Sequence, residues 1–210
     1  MIAGVVLAAG QSSRLGRPKQ LLPLRGEPLL RHTLRAVLAS SLDEILVVIG
    51  HEAEAVREAA ADLPVRFVNN PDAALGQSTS VRAGLRALAP DADAAIFFLG
   101  DQPGVAPDVV DALIAAWRET NAPVVAPRYV DGFGNPVLFD KRVFPDLATL
   151  QGDTGARPIV HTYEKRGNLQ SVNVDGLAPP DIDTEVDYAA LIEAQPNRPL
   201  PPRAGKKTGC

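Results

Sequence analysis

Two kinds of segment alternate along the 210-residue chain. Short apolar runs rich in β-branched residues are separated by longer stretches of Ala, Leu and Arg. That alternation predicts βα units and a mostly parallel sheet. Strands are expected at residues 2–8, 45–49, 65–68, 94–99, 124–126, 136–139 and 169–172, with the strongly apolar 94–99 as the central one. Helices are expected at 28–39, 52–61, 78–88, 108–118, 142–150, 156–165 and 185–194. Pro107 suits a helix start, and Ser78, Thr79 and Ser80 are candidate N-caps. Thr184 followed by Asp187 predicts a capping box with Asp in place of Glu. The expected fold is α/β: a doubly wound, Rossmann-like, mostly parallel sheet in three α/β/α layers. No internal repeat or linker interrupts the pattern, so residues 1–195 read as one domain. The Pro-rich, basic stretch 196–210 reads as a disordered tail.

Composition narrows the class. Hydrophobic residues make up 46% and charged residues 22%, an ordinary globular balance that can bury a sizeable core. The single cysteine, Cys210, excludes a disulfide framework and a cysteine-rich metal site. His32, His51 and His161 lack zinc-ligand spacing. No apolar run approaches the roughly 20 residues that span a bilayer, and no basic leader precedes the apolar start, so a cytoplasmic location is expected. The net charge of −4 argues against nucleic acid as partner. Its distribution is uneven: residues 1–40 carry six of the 21 basic side chains but one acid, Glu27. A basic cluster on an acidic chain points to a small polyanion, although Arg31 and Arg35 read as the solvated face of a helix.

The most informative segment is LAAGQSSRLGRPKQLLPL, residues 7–24. It joins a strand to a helix, at the sheet edge where open α/β folds bind ligands. Gly10 and Gly16 let backbone N–H groups approach phosphate oxygens, Ser12 and Ser13 add hydroxyls, and Arg14 and Lys19 bring positive charge. It is not a Walker A loop: five residues separate the glycines, and Lys19 follows the second by three. G-x-G-x-x-G is absent.

Five further segments carry candidate chemistry. GDQP, residues 100–103, follows the apolar strand, so Asp101 reads either as a turn or N-cap residue or as a ligand for Mg²⁺. GQSTSVRAGL, residues 76–85, places Gln77, Ser78 and Ser80 at a helix start. GFGNP and GDTGAR, residues 132–136 and 152–157, offer Asn135, Asp153 and Arg157, which turn chemistry alone also explains. DIDTEVDY, residues 181–188, holds Asp183 and Asp187, the latter read as an N-terminal helix charge. His51 and Trp117 read as structural.

LAAGQSSRLGRPK, residues 7–19, is similar to L-[AG]-[AG]-G-x-[SG]-x-R-[ML]-G-x-x-K, the signature of the MobA-like nucleotidyltransferases, and within them to the molybdenum cofactor cytidylyltransferases. GQSTS, GDQP, GFGNP, GDTGAR and DIDTEVDY resemble that family's later motifs in order, so the resemblance runs from Ile2 to about Leu191. It implies the nucleotide-diphospho-sugar-transferase-like fold and transfer of CMP from CTP to molybdopterin, releasing pyrophosphate. It implies nucleotide contacts from Leu7, Ala8, Ala9, Gly10, Ser12, Arg14, Lys19, Gln77, Ser78 and Ser80. Asp101 and Asp183 would hold Mg²⁺, with Arg14, Lys19 and Asp101 catalytic. Asn135, Asp153 and Arg157 would face a molybdopterin-type acceptor. An apo molybdoenzyme is a further implied partner; nucleic acid and membrane are not. Ala9 and the GQSTS stretch favour CTP over GTP. The alternatives are another acceptor or GTP, a nicotinamide-dependent oxidoreductase on this fold, and a non-catalytic cofactor-insertion chaperone.

Overall fold

The computed structural model describes residues 1–12 and 15–193; the expected tail lies outside them. Ten strands and seven α-helices are described. The strands are β1 (Ile2–Leu7), β2 (Pro23–Leu24), β3 (Glu27–Pro28), β4 (Glu44–Ile49), β5 (Arg66–Asn69), β6 (Ala94–Leu99), β7 (Val124–Tyr129), β8 (Gly132–Phe133), β9 (Val137–Asp140) and β10 (Leu169–Asn173). The helices are α1 (Leu29–Leu38), α2 (Ala53–Glu58), α3 (Gln77–Ala87), α4 (Pro107–Thr120), α5 (Phe144–Ala148), α6 (Arg157–Lys165) and α7 (Glu185–Glu193).

Eight strands form one sheet in the order β10-β7-β9-β6-β1-β4-β5, with β8 paired to β7. β1 runs parallel to both β4 and β6, and β4 to β5. β9 runs antiparallel between β6 and β7, so the sheet is mostly rather than wholly parallel. Period-2 alternation sends successive side chains to opposite faces. Val6, Val47, Ile96 and Phe98 pack with Leu34 of α1, Val56 of α2 and Leu113 of α4. Val5, Val48, Ala95 and Phe97 pack with Val81 of α3, Leu147 of α5 and Val160 of α6. Two cores on one sheet make the three α/β/α layers, and strands buried on both faces explain the unbroken apolar runs.

A third, smaller cluster decides where the site forms. Leu15, Leu22 and Leu29 from the first loop and α1 close around Ile182 and Tyr188 near the far end of the chain. Ile182 is fully buried, so its neighbours Asp181 and Asp183 are carried to the first loop. Arg17 reinforces the seam with a two-oxygen contact to Glu185 at 2.9 and 3.0 Å.

Several local expectations change. The hairpin of β2 and β3 was not legible; its turn is made by Arg25 and Gly26, both at positive φ. Ser78, Thr79 and Ser80 do not cap α3. Gly76 occupies the N-cap at φ 110°, and no side chain of the helix closes the end. Thr79 Oγ1 instead donates to Gly76 O at 2.8 Å, and Asn70 Nδ2 donates to both Thr79 Oγ1 and Ser80 Oγ. Pro107 is the first residue of α4. The capping box of α7 forms: Thr184 N donates to Asp187 Oδ2 at 2.8 Å, and Asp187 N to Thr184 Oγ1 at 3.2 Å. Trp117 packs against the first core and donates Nε1–H to buried Asp140 at 3.0 Å. Arg31 and Arg35 are engaged on the surface, with Asp62 and Glu27 respectively.

Candidate active site

β1 and β6 are adjacent and parallel, so their carboxyl ends open on the same edge of the sheet. Above that edge lies a cavity of about 540 Å³ lined by the first loop, the start of α3, Asp101, Asp153 and the acidic pair Asp181 and Asp183. The loop is held by its own polar groups. Ser12, at φ 51°, accepts Leu15 N–H at 3.0 Å and Gly16 N–H at 3.1 Å through its carbonyl. Ser12 Oγ accepts Lys19 N–H at 3.0 Å, and buried Gln20 donates to Gly10 O at 3.4 Å.

Leu7, Ala9, Gly10, Ser12, Lys19, Gln77, Ser80, Asp101, Asp153 and Asp183 all line this cavity. Other expected residues are elsewhere. Ala8 is fully buried in the first core. Ser78 is fully buried too, because residues two apart on a helix sit about 200° apart; Ser80 faces the cavity and Ser78 the interior. Asn135 does not line the cavity, and its carbonyl accepts the Tyr129 hydroxyl at 3.1 Å. Arg157 is exposed at the start of α6, outside the cavity wall. Arg14 lies outside the described residues. Gln11, Gln20, Ala73, Ala74, Leu75 and Asp181 line the cavity although the motifs did not single them out. For Asp181 a signal existed: in D-I-D, a buried Ile between two acids turns both acids away from the core.

Asp153 has a definite task. It accepts the Gln77 N–H at 3.3 Å, while Gly152 O accepts that of Ser78 at 3.3 Å. The GDTGAR loop therefore supplies the cap that α3 does not supply itself.

Charge is concentrated at the other wall. Lys19 Nζ contacts Asp101 Oδ2 directly and donates to Asp183 Oδ1 at 2.8 Å. The ammonium is thus turned to the two carboxylates. Burial pulls the Lys19 pKa down, but Asp101 and Asp183 outweigh it and the net shift is upward. Asp181 is exposed as a residue, yet protein packed around its carboxyl strips part of its hydration. The charges of Asp101 and Asp183 add to this, so its pKa is raised. Gln102, itself buried, holds this segment in place by donating to Asp181 Oδ1 at 2.7 Å and Pro179 O at 3.1 Å.

Among the described lining residues, four are Asp and the one cation is Lys19. Such a wall repels a polyphosphate unless a cation comes with it. The donor set fits a hard divalent ion, since Mg²⁺ is commonly held by one or two carboxylates with phosphates completing the sphere. No group of three or more His, Cys, Asp or Glu is assembled for a metal among the described residues. Asp101 and Asp183, meeting at one ammonium, are the pair that could hold it.

Residues 4–167 match the model of the MobA-like NTP transferase domain. The chain belongs to that family. It is 32% identical to the purine catabolism protein PucB of Bacillus subtilis, over 92% of this chain and 97% of PucB. It is 36% identical to nicotine blue oxidoreductase of Paenarthrobacter nicotinovorans, over 74% of this chain and 79% of that protein. Among solved structures, Rv0371c of Mycobacterium tuberculosis is 38% identical with a TM-score of 0.82, over 91% of this chain and 97% of that one. A complex of Rv0371c with manganese aligns at 37% identity and a TM-score of 0.81, covering 92% and 99%. A nucleotidyl transferase of Methanothermobacter is 28% identical at a TM-score of 0.76, covering 92% and 97%. The mostly parallel α/β sheet described above thus belongs to a nucleotidyltransferase fold. No helix among the described residues is long and apolar enough to cross a membrane.

Proposed function

We propose that this MobA-like chain, as one domain over residues 1–195, is a cytoplasmic nucleotidyltransferase that joins the CMP of CTP to a molybdopterin-type acceptor and releases pyrophosphate. The observation that carries the reading is the meeting of Lys19 with Asp101 and Asp183 at the glycine-rich loop. That Rv0371c, a relative, forms a complex with manganese supports a divalent ion as a requirement of this chain.

The acceptor's terminal phosphate attacks the α-phosphorus of CTP in line, forming the new P–O bond as the bond to pyrophosphate breaks. No enzyme nucleophile is needed, so positioning and charge stabilisation supply the rate. Asp101 and Asp183 would hold a divalent ion, which would neutralise the phosphates when bound. Gly10 and Ser12 line the path of the triphosphate. Lys19, released from the carboxylates, opposes the charge building on pyrophosphate. Gln77 and Ser80 face the nucleotide from the start of α3, and Arg157 offers positive charge to the acceptor's phosphate. The deciding experiment is pyrophosphate release from CTP with molybdopterin present. CTP should be used well ahead of GTP, and equal turnover with both would refute the cytidylyl assignment. Similarity to nicotine blue oxidoreductase favours a second reading, reduction of a quinoid compound by a nicotinamide cofactor. Nicotinamide oxidation without pyrophosphate release would establish it instead, and tight binding of the finished cofactor without turnover would mark an insertion chaperone.

A further inference from the structure

The ammonium of Lys19 stands where a cation held jointly by Asp101 and Asp183 would need to stand. Nζ is in direct contact with Asp101 Oδ2 and 2.8 Å from Asp183 Oδ1. The side chain of Lys19 is 18% exposed and that of Asp101 8%, so water screens the contact poorly. A Mg²⁺–oxygen bond is about 2.0–2.1 Å. An ion taking both of these oxygens would crowd Nζ, with like charges in contact. One oxygen pair serves the ammonium or the ion, not both.

The lysine also has a second place to go. Its backbone is fixed by the Ser12 hydroxyl, but the four-carbon stem can rotate about that anchor. Gly10, Ser12 and the start of α3 line the same cavity. Among the described residues the remaining lining charges there, Asp153 and Asp181, are acidic, and a polyphosphate in the cavity gives the ammonium a stronger partner than either.

We propose that Lys19 is an internal counter-ion that bars a bare divalent cation from Asp101 and Asp183, so that metal enters only with a nucleotide whose phosphates draw the ammonium away. The proposal rests on the reading of Asp101 and Asp183 as the metal-holding pair. Its consequence is positive coupling between metal and nucleotide, which linkage makes equal in both directions. It also separates two properties that usually fall together. Removing the ammonium weakens catalysis and strengthens binding of the bare ion. A lysine that only bound phosphate, or only held the fold, would not tighten metal binding on removal.

The test is titration of the full chain with Mn²⁺, following the free ion by electron paramagnetic resonance, first without nucleotide and then with CTP. Lys19→Met should bind Mn²⁺ alone at least about tenfold more tightly than wild type, and Lys19→Arg should stay close to wild type. CTP should tighten Mn²⁺ binding at least about tenfold in wild type and much less in Lys19→Met. Lys19→Met binding Mn²⁺ no more tightly than wild type overturns the exclusion, even where Asp101→Asn still weakens Mn²⁺–CTP binding. An Asp101→Asn variant that binds Mn²⁺–CTP unchanged overturns the metal-pair reading, and the proposal with it. A measurement on the wild-type chain covers a Lys19→Met variant that does not fold. The ¹⁵Nζ ammonium signal of Lys19, assigned by its loss in Lys19→Arg, should persist in millimolar Mg²⁺ and change when CTP is added. A change with Mg²⁺ alone would show the ion displacing the lysine unaided, against the proposal.

Discussion

Asp101 leaves the carboxyl end of β6 buried, and Lys19 answers its charge across the loop. Asp101→Asn keeps the shape and one acceptor but surrenders the carboxylate's attraction for a divalent ion. Turnover should fall by about 10²–10³ with the circular dichroism spectrum unchanged. Near-wild-type turnover at limiting Mg²⁺ would reduce Asp101 to a turn residue. In the proposed mechanism Lys19 opposes the charge that grows on the leaving group as the reaction proceeds. Lys19→Ala should therefore lower kcat by more than it raises KM for CTP. Lys19→Arg should restore only part of the loss, because a planar guanidinium does not replace a compact point charge. A raised KM with unaltered kcat, measured by steady-state kinetics, would assign Lys19 to uniform binding.

The element that joins fold to site is α3. Its start is built by the backbone: Gly76 at φ 110° turns the chain, and the loop at Gly152 and Asp153 lies against it. A Cβ on Gly76 would come within 2.5 Å of the Gly152 carbonyl, which cannot rotate away as a side-chain tip could. Gly76→Ala should lower unfolding free energy by about 1–3 kcal/mol, read from urea denaturation. It should also raise KM for the nucleotide, since Asp153 and Gln77 move with that loop. Unchanged stability would mean that the loop is free to shift. This part was half legible. The pattern shows a helix starting near residue 78, but from the sequence the serines read equally as caps and as nucleotide ligands. Helical geometry lets Ser78 and Ser80 share neither face nor role, and the actual cap, Asp153, is 76 residues from the Gln77 N–H it accepts.

At the scale of the whole molecule, acid should act through carboxylates tied to distant partners. Burial raises the Asp140 pKa, but hydrogen bonds from Arg142 and Trp117 outweigh it and leave the value lowered. Asp93, bonded by Lys141 and the Met1 amine, is lowered to about 2. A lowered folded pKa contributes stability above the unfolded value, about 3.9 for Asp, and loses it as pH falls through the folded value. Unfolding free energy should therefore decline between about pH 4 and pH 2. Asp140, whose side chain is 9% exposed, should carry more of that decline than Asp93, whose half-exposed carboxylate is better screened by water. Asp140→Asn should be less stable than wild type at pH 7, with the gap narrowing toward pH 2 in urea midpoints. A gap independent of pH would place the cost in packing around Trp117 and not in charge.

Local pattern alone determined the α/β class, the strand ends that carry Gly10 and Asp101, and the helices between them. Each of those signals spans a few residues: apolar runs, turn residues, a capping box. The antiparallel β9 between β6 and β7, and the burial of Ile182 against Leu15, Leu22 and Leu29, were decided by the tertiary structure. So was the turn of Lys19 toward Asp183, 164 positions away. Periodicity shows which face of a segment is buried but not which distant segment covers it. That choice is made when the apolar surfaces of the whole chain close together, and the closing of the third cluster brings Asp183 to the lysine.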